Sequence, residues 1–141
     1  MWQNDSFQIT FDTMNDASAA KLSGIPGYDL TDYEFGFALS PKGPQCFCYT
    51  AASPNKAIEN KVTNSDIVIK RSGKNTMIYE LAIPWSTLAP SKPESGKVFR
   101  FNFICLDSDK SGQTSLYCMG LSQGIWSGKN TEQFKTFVLM P

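Results

Sequence analysis

The chain has 141 residues, 41% of them hydrophobic and 18% charged, and its 13 Lys and Arg residues balance 13 Asp and Glu residues. This length and composition predict one globular domain over residues 1–141 and exclude a disordered chain. The balanced charge, with no basic run among aromatic residues, argues against nucleic acid as a partner, and no stretch reaches the ~20 apolar residues of a membrane span.

The first predicted element is a strand over residues 6–12 with two different faces. Its phenylalanines and its isoleucine point one way, while the alternate positions, among them Gln8 and Asp12, carry hydrogen-bonding groups. The apolar face is typical of a protein core. The polar face, which follows Trp2, suits a sugar, because sugar C–H faces stack on indole and sugar hydroxyls pair with amides and carboxylates. An ordinary edge strand with a capping tryptophan has the same pattern.

The same alternation recurs along the chain. Turn residues separate further predicted strands at residues 33–40, 45–51, 67–71, 76–83, 98–107, 114–121 and 133–140. Only residues 15–23 and 84–88 have helical signals, and neither segment is expected to exceed about two turns. A chain of about eight short strands predicts an all-β fold, a jelly-roll-like antiparallel β-sandwich.

The histidine and cysteine content limits the chemistry of the chain. Histidine is absent, which excludes Ser-His-Asp and Cys-His nucleophile systems, the HExxH zinc site and histidine-ligated haem. Cys46 and Cys48 lie two apart on one face of a predicted strand, a poor geometry for a disulfide between them. Cys105 and Cys118 flank a predicted hairpin turn and would either form a disulfide or remain as two buried free thiols. The burial preference of free cysteine favours the thiols.

Two tryptophans in predicted turns are expected to differ. Trp85 follows a proline in residues 84–88, and the family resemblance described below implies that it packs in the core beneath this turn. Trp126 lies in a loop of small polar residues, 122–130, where a large aromatic side chain has little core to enter. We therefore expect Trp126 to be exposed and available to a ligand.

Residues 107–113 have oxygen-bearing side chains at alternate positions and a glycine at the sixth, like the start of a calcium loop. Asp107 and Asp109 are the candidate ligands. The twelfth position is Cys118 instead of the usual glutamate, which favours a plain polar hairpin. No pair of carboxylates stands out for glycoside hydrolysis, so we expect no enzymatic activity.

Three segments, in this order, resemble the family 9 carbohydrate-binding modules of the DOMON-like β-sandwich superfamily. The first is W-Q-N-D-S-F-Q-I-T-F-D at residues 2–12, and the second is M-I-Y-E-L-A-I-P-W-S-T-L at residues 77–88. The third is G-K-V-F-R-F-N-F-I-C-L-D-S-D at residues 96–109, followed by Trp126 and an F-x-x-x-x-L ending at residues 134–139. The resemblance covers most of the chain, and its middle segment is the most specific.

The resemblance implies a non-catalytic sugar-binding module on a β-sandwich of the carbohydrate-binding-domain type. By position, Trp2 and Trp126 match the two tryptophans that sandwich a terminal sugar in that family. The polar positions that bind the sugar hydroxyls are matched by Gln8, Glu34 and Gln123.

The chain departs from the family at Gly36, which stands where the family has an arginine, so a charged donor is missing. This departure favours an alternative, a structural or interaction β-sandwich domain of an exported multidomain protein that has lost sugar binding. A haem-binding domain of the same superfamily ranks last because only methionines remain as axial ligands.

The resemblance also implies the setting of the domain. Calcium is known in the family, so Asp107 and Asp109 are candidates for a structural calcium site. Family members begin with further strands before the Trp-x-x-Asp-Ser segment, so we expect one of three cases: a C-terminal portion of a longer domain, a partner segment or chain that completes the sandwich, or a compact variant. The expected ligand is an oligosaccharide or polysaccharide, and the expected location is secreted or cell-surface, as a module of a larger protein.

Overall fold

The fold is all-β, as predicted. The structure, a computed structural model, describes residues 5–17, 27–63, 65–108, 117–126 and 128–141. These residues form nine strands: β1 (Ser6–Asp12), β2 (Asp32–Ser40), β3 (Gly43–Thr50), β4 (Lys61–Val62), β5 (Asp66–Ser72), β6 (Thr76–Ala82), β7 (Val98–Asp107), β8 (Tyr117–Gly120) and β9 (Lys135–Val138). The helical elements are short 3-10 segments at Ser53–Ile58, Trp85–Leu88 and Thr131–Gln133. Within the described residues, no helix has the length and apolar character that crossing a membrane requires.

The strands pair in an antiparallel manner throughout. Seven of them form one sheet in the order β4-β3-β2-β1-β7-β8, and β9 pairs with β7 beside β8. Strands β5 and β6 form a separate hairpin. The eight predicted strands correspond to eight of the nine observed, and the two-residue β4 is the one that the alternation does not reveal.

The main core lies between the large sheet and the β5–β6 hairpin. The alternate apolar residues of the central strands provide its buried side chains, and the hairpin packs Ile67, Ile69, Met77, Tyr79 and Leu81 against them. The rings of Phe7 and Tyr79, one from each layer, are stacked with their centroids 5.8 Å apart. Burying each large apolar side chain contributes about 1.5–3 kcal/mol, so this face is the main source of stability.

The opposite face of the large sheet is polar and is also buried. Gln8 and Asp12, together with the other polar side chains of β1, have almost no solvent exposure. A second apolar cluster lies on this side and joins β7 to the loops: Tyr28, Ile104, Leu106, Ile125 and Phe134. The expectation that the polar face of β1 is an open ligand surface is therefore wrong, because chain segments from elsewhere cover it.

The structure also settles the cysteines and Trp85. All four cysteines are free thiols. Cys118 pairs with Leu106 instead of Cys105, so the two sulfur atoms point to opposite faces of the sheet and Cys118 is exposed. Trp85 is 42% exposed, so the prediction that it fills the core is wrong. Leu88, three residues later, is the buried side chain of that turn.

Candidate functional site

An open cleft of about 850 Å³ lies beside the loop that follows β8. Trp126 lines it and is 51% exposed, which confirms the expected exposure of this tryptophan. Gln123 lines the same cleft, so the structure brings these two predicted site residues together. The other polar side chains of its lining are Ser122, Gln133 and Lys135.

The buried side chain of Asn102 holds this loop against the sheet. Its Nδ2 donates to the carbonyl oxygens of Ser122 at 3.1 Å and Gln123 at 2.8 Å. Its Oδ1 accepts from the backbone N–H of Ser122 at 3.0 Å. One amide thus fixes the backbone that presents Gln123 and leads to Trp126. Its only sequence signal is a single amide within the aromatic alternation of β7, and sequence reasoning missed it.

The local backbone turns Trp126 toward solvent. Gly124 has a φ of 100°, a conformation that suits glycine. A Cβ at this position would lie 2.3 Å from the carbonyl oxygen of Asn130. The backbone N–H of Asn130 closes the loop by donating to the Gly124 carbonyl oxygen at 3.0 Å. Ile125 is buried in the second apolar cluster. With its neighbour anchored inward, Trp126 is left on the outer side of the loop.

Glu34 and Gln8 lie beneath the loops and are not part of the cleft lining. Glu34 accepts a hydrogen bond from Lys129 Nζ at 2.6 Å. The ammonium group of Lys129 also lies 5.5 Å from the centroid of the Tyr28 ring. Burial, and then the neighbouring charge of Glu34, raises the pKa of Tyr28. The ion pair between Lys129 and Glu34 therefore attaches the loop that carries Trp126 to β2. Trp2 lies outside the described residues, so its stacking role stays a prediction.

Position 36 has little space for a side chain. The ring of Tyr49, on β3, lies directly over Gly36, and a Cβ at position 36 would be 2.6 Å from Tyr49 Cε2. No larger side chain fits there unless the tyrosine moves. Gly36 thus provides the space for an aromatic ring on the neighbouring strand.

A second polar site lies where β1 ends and β2 begins. One carboxylate oxygen from each of Asp12, Asp16 and Asp32 lies within 4.8 Å of the other two. Burial is the main cause that raises the pKa of Asp32 to about 8, and the nearby carboxylates of Asp29, Asp12 and Asp16 add to it. Burial, followed by the charge of Asp16, raises the pKa of Asp12 as well. Asp32 lies beyond the β1–β2 connection from the other two residues. The sequence therefore indicates only that Asp12 and Asp16, four residues apart, could lie close together, and it does not predict that Asp32 joins them.

The predicted calcium loop is only partly described. Asp107 is the exposed last residue of β7 and pairs with Tyr117, so the hairpin itself is present. Asp109 lies outside the described residues. Calcium binding at Asp107 and Asp109 stays a prediction.

No protein-family model matches the chain. No curated protein and no solved structure matches it either. The resemblance to family 9 carbohydrate-binding modules therefore stays a prediction, and the function is argued from the site.

The described lining of the Trp126 cleft offers groups that can recognise a ligand. An exposed indole offers an apolar plate, two glutamine amides offer both donors and acceptors, and a lysine offers a donor. The part of the cleft lining that is described includes no aspartate or glutamate. A pair of carboxylates, which glycoside hydrolysis requires, is thus not found among these residues.

Proposed function

We propose that this chain is a non-catalytic carbohydrate-binding domain, in which Trp126 stacks on a sugar ring of an oligosaccharide or polysaccharide. The observation that carries this proposal is the 51% exposure of Trp126 in an open cleft whose lining is part polar and part apolar. A sugar ring has an apolar C–H face and a rim of hydroxyls, and this lining supplies a partner for each. The setting that fits such a domain is a secreted or cell-surface protein.

Gln123 is the proposed reader of the sugar hydroxyls, because its amide can donate and accept. Gln133 and Lys135 add further polar side chains to the lining of the cleft. Glu34 acts indirectly in this proposal, through its ion pair with Lys129. An open, largely preformed site of this kind binds with no bond made or broken.

The test compares two exposed tryptophans. Trp126→Ala removes the stacking plate, and Trp85→Ala is the matched control, because Trp85 is 42% exposed and does not line the cleft. Stacking on an aromatic side chain is worth about 1–3 kcal/mol, so Trp126→Ala should weaken sugar binding roughly ten- to a hundredfold. Trp85→Ala should leave the affinity unchanged.

Affinity is measured by titration calorimetry with soluble β-glucan, xylan and mannan oligosaccharides, and melting temperature is followed in parallel. Equal affinities for Trp126→Ala and the parent protein would contradict the proposal. If the parent binds no sugar in the panel, the structural or interaction domain becomes the better description. That alternative is favoured by exposed apolar side chains on β8 and β9, namely Tyr117, Met119, Phe137 and Val138.

A further inference from the structure

Three carboxylates converge at one end of the central strands. Asp12 is the last residue of β1 and lies directly opposite Asp32, the first residue of β2. Directly opposed residues of an antiparallel pair point to the same face, where like charges destabilise the sheet. Asp16, in the turn after β1, brings a third carboxylate oxygen within 4.8 Å of the other two.

The two strand residues carry buried oxygen atoms that have no hydrogen-bond partner. Asp12 and Asp32 are both 0% exposed. Neither Asp12 Oδ2 nor Asp32 Oδ1 accepts a hydrogen bond. A buried polar atom left in this state destabilises the folded chain, and more so when it is charged. Native proteins therefore seldom leave such atoms without a proton, a water molecule or an ion.

Arg100 does not satisfy these oxygens. Its Nε lies 3.8 Å from Asp12 Oδ2, beyond hydrogen-bond distance, and donates instead to Asn15 Oδ1 at 2.8 Å. Its Nη1 donates to the carbonyl oxygens of Thr131 and Glu132. Arg100 therefore borders the cluster but leaves both of these oxygens without a hydrogen bond.

The ligand atoms identify the kind of cation. They are all carboxylate oxygens, which are hard donors that favour calcium over zinc or copper. Calcium–oxygen distances of 2.3–2.6 Å place opposite ligands about 4.6–5.2 Å apart, so three oxygens within 4.8 Å of one another can all bind one ion. The hydroxyl of Thr31 lies 2.6 Å from Asp29 Oδ1 and 3.0 Å from Asp16 Oδ1, so its one proton can be donated to either carboxylate.

We propose that Asp12, Asp16 and Asp32 bind one calcium ion that joins the end of β1 to the start of β2. This site differs from the one that the sequence suggests at Asp107 and Asp109, and it does not depend on sugar binding. The ion neutralises the opposed carboxylates and stabilises the folded chain, because the three ligands come together only after β1 and β2 have paired.

The first experiment is a calcium titration of chelator-treated protein by calorimetry, with magnesium chloride as a parallel titrant. We expect one calcium per chain. At a calcium concentration a hundredfold above the dissociation constant, the melting temperature should rise by roughly 5–10 °C. Parent protein that neither binds calcium nor gains thermal stability from it would overturn the proposal.

Three variants locate the ion. Asp16→Asn changes the partly exposed ligand and should fold, and Asp32→Asn changes a buried one. Each should weaken calcium binding at least about tenfold. Asp107→Asn tests the other candidate site, and the calcium ion held by Asp12, Asp16 and Asp32 should still bind in this variant. Loss of calcium binding in Asp107→Asn with retention in Asp16→Asn would place the ion at the β7–β8 hairpin and refute the proposal.

Asp32→Asn also distinguishes bound calcium from a second explanation, in which the two buried carboxylates share a proton. An amide resembles a protonated acid in shape and removes the charge. If a shared proton is the whole explanation, the parent shows no response to calcium and Asp32→Asn is at least as stable as the parent in calcium buffer. If calcium binds, Asp32→Asn loses the calcium-dependent rise in melting temperature.

Discussion

Removal of the Asn102 amide should loosen the loop that carries Trp126. In the variant Asn102→Ala, the loop loses two hydrogen bonds donated by Nδ2, at 3.1 and 2.8 Å, and one accepted by Oδ1, at 3.0 Å. Each contributes about 0.5–1.5 kcal/mol net, so the free energy of unfolding should fall by about 2–4 kcal/mol. The loss is near the upper end if water does not reach the backbone groups left behind.

Urea unfolding followed by far-ultraviolet circular dichroism measures this loss. With a typical slope for a small domain, the midpoint should decrease by roughly 1–2 M urea. Amide hydrogen exchange gives a local check, because the Ser122 N–H donates to Asn102 Oδ1 and should exchange faster in the variant.

Ser122→Ala is the matched control on the same loop. The Ser122 hydroxyl makes one long hydrogen bond, at 3.4 Å, to the carbonyl of Gln123, so its loss should change stability by less than about 0.5 kcal/mol. The reasoning would be refuted if Asn102→Ala were as stable as Ser122→Ala, or if exchange of the Ser122 amide were unchanged.

Two further predictions concern the polar face of the sheet. Gly36→Ala should lower the free energy of unfolding by about 1–3 kcal/mol, because its Cβ would lie 2.6 Å from Tyr49 Cε2. Chemical denaturation measures this loss, and adding Tyr49→Leu should recover most of it; no recovery would show that the clash is not the cause. In chelator, stability should also fall as the pH rises from about 4 to about 8, since burial raises the pKa of Asp32 to about 8 and the folded protein keeps a proton that the unfolded chain releases. Melting temperatures across this range should decrease by an amount that corresponds to a few kcal/mol, and Asp32→Asn should flatten the profile; an equally steep profile in that variant would assign the effect to another group.

The alternation of residues was enough to locate the strands, because side-chain direction in a strand changes with every residue. It also separated the apolar from the polar side of β1. It did not show that Gln8 and Asp12 are buried, because segments that pack on this face, such as the loop that Asn102 holds, come from the far end of the chain. Trp126 could be predicted as exposed from its polar loop, whereas the family pattern that placed Trp85 in the core was wrong for this chain.

Strand register is the second limit of the sequence. Symmetric spacing about a turn suggested that Cys105 could face Cys118, but the hairpin pairs Cys118 with Leu106. A shift of one residue reverses the face on which a side chain lies. Register also brings Asp12 opposite Asp32, twenty positions apart in sequence, which no local pattern shows.

The sequence by itself determined the all-β class, the positions of eight strands and the exposure of Trp126, because each depends on neighbours within a few residues. Only the tertiary structure decided that the polar face of β1 is covered, that Asn102 holds the Trp126 loop, and that buried carboxylates gather between β1 and β2. These features arise from contacts between residues that are distant in the chain. Such contacts depend on strand register and loop packing, and neither can be derived from local periodicity.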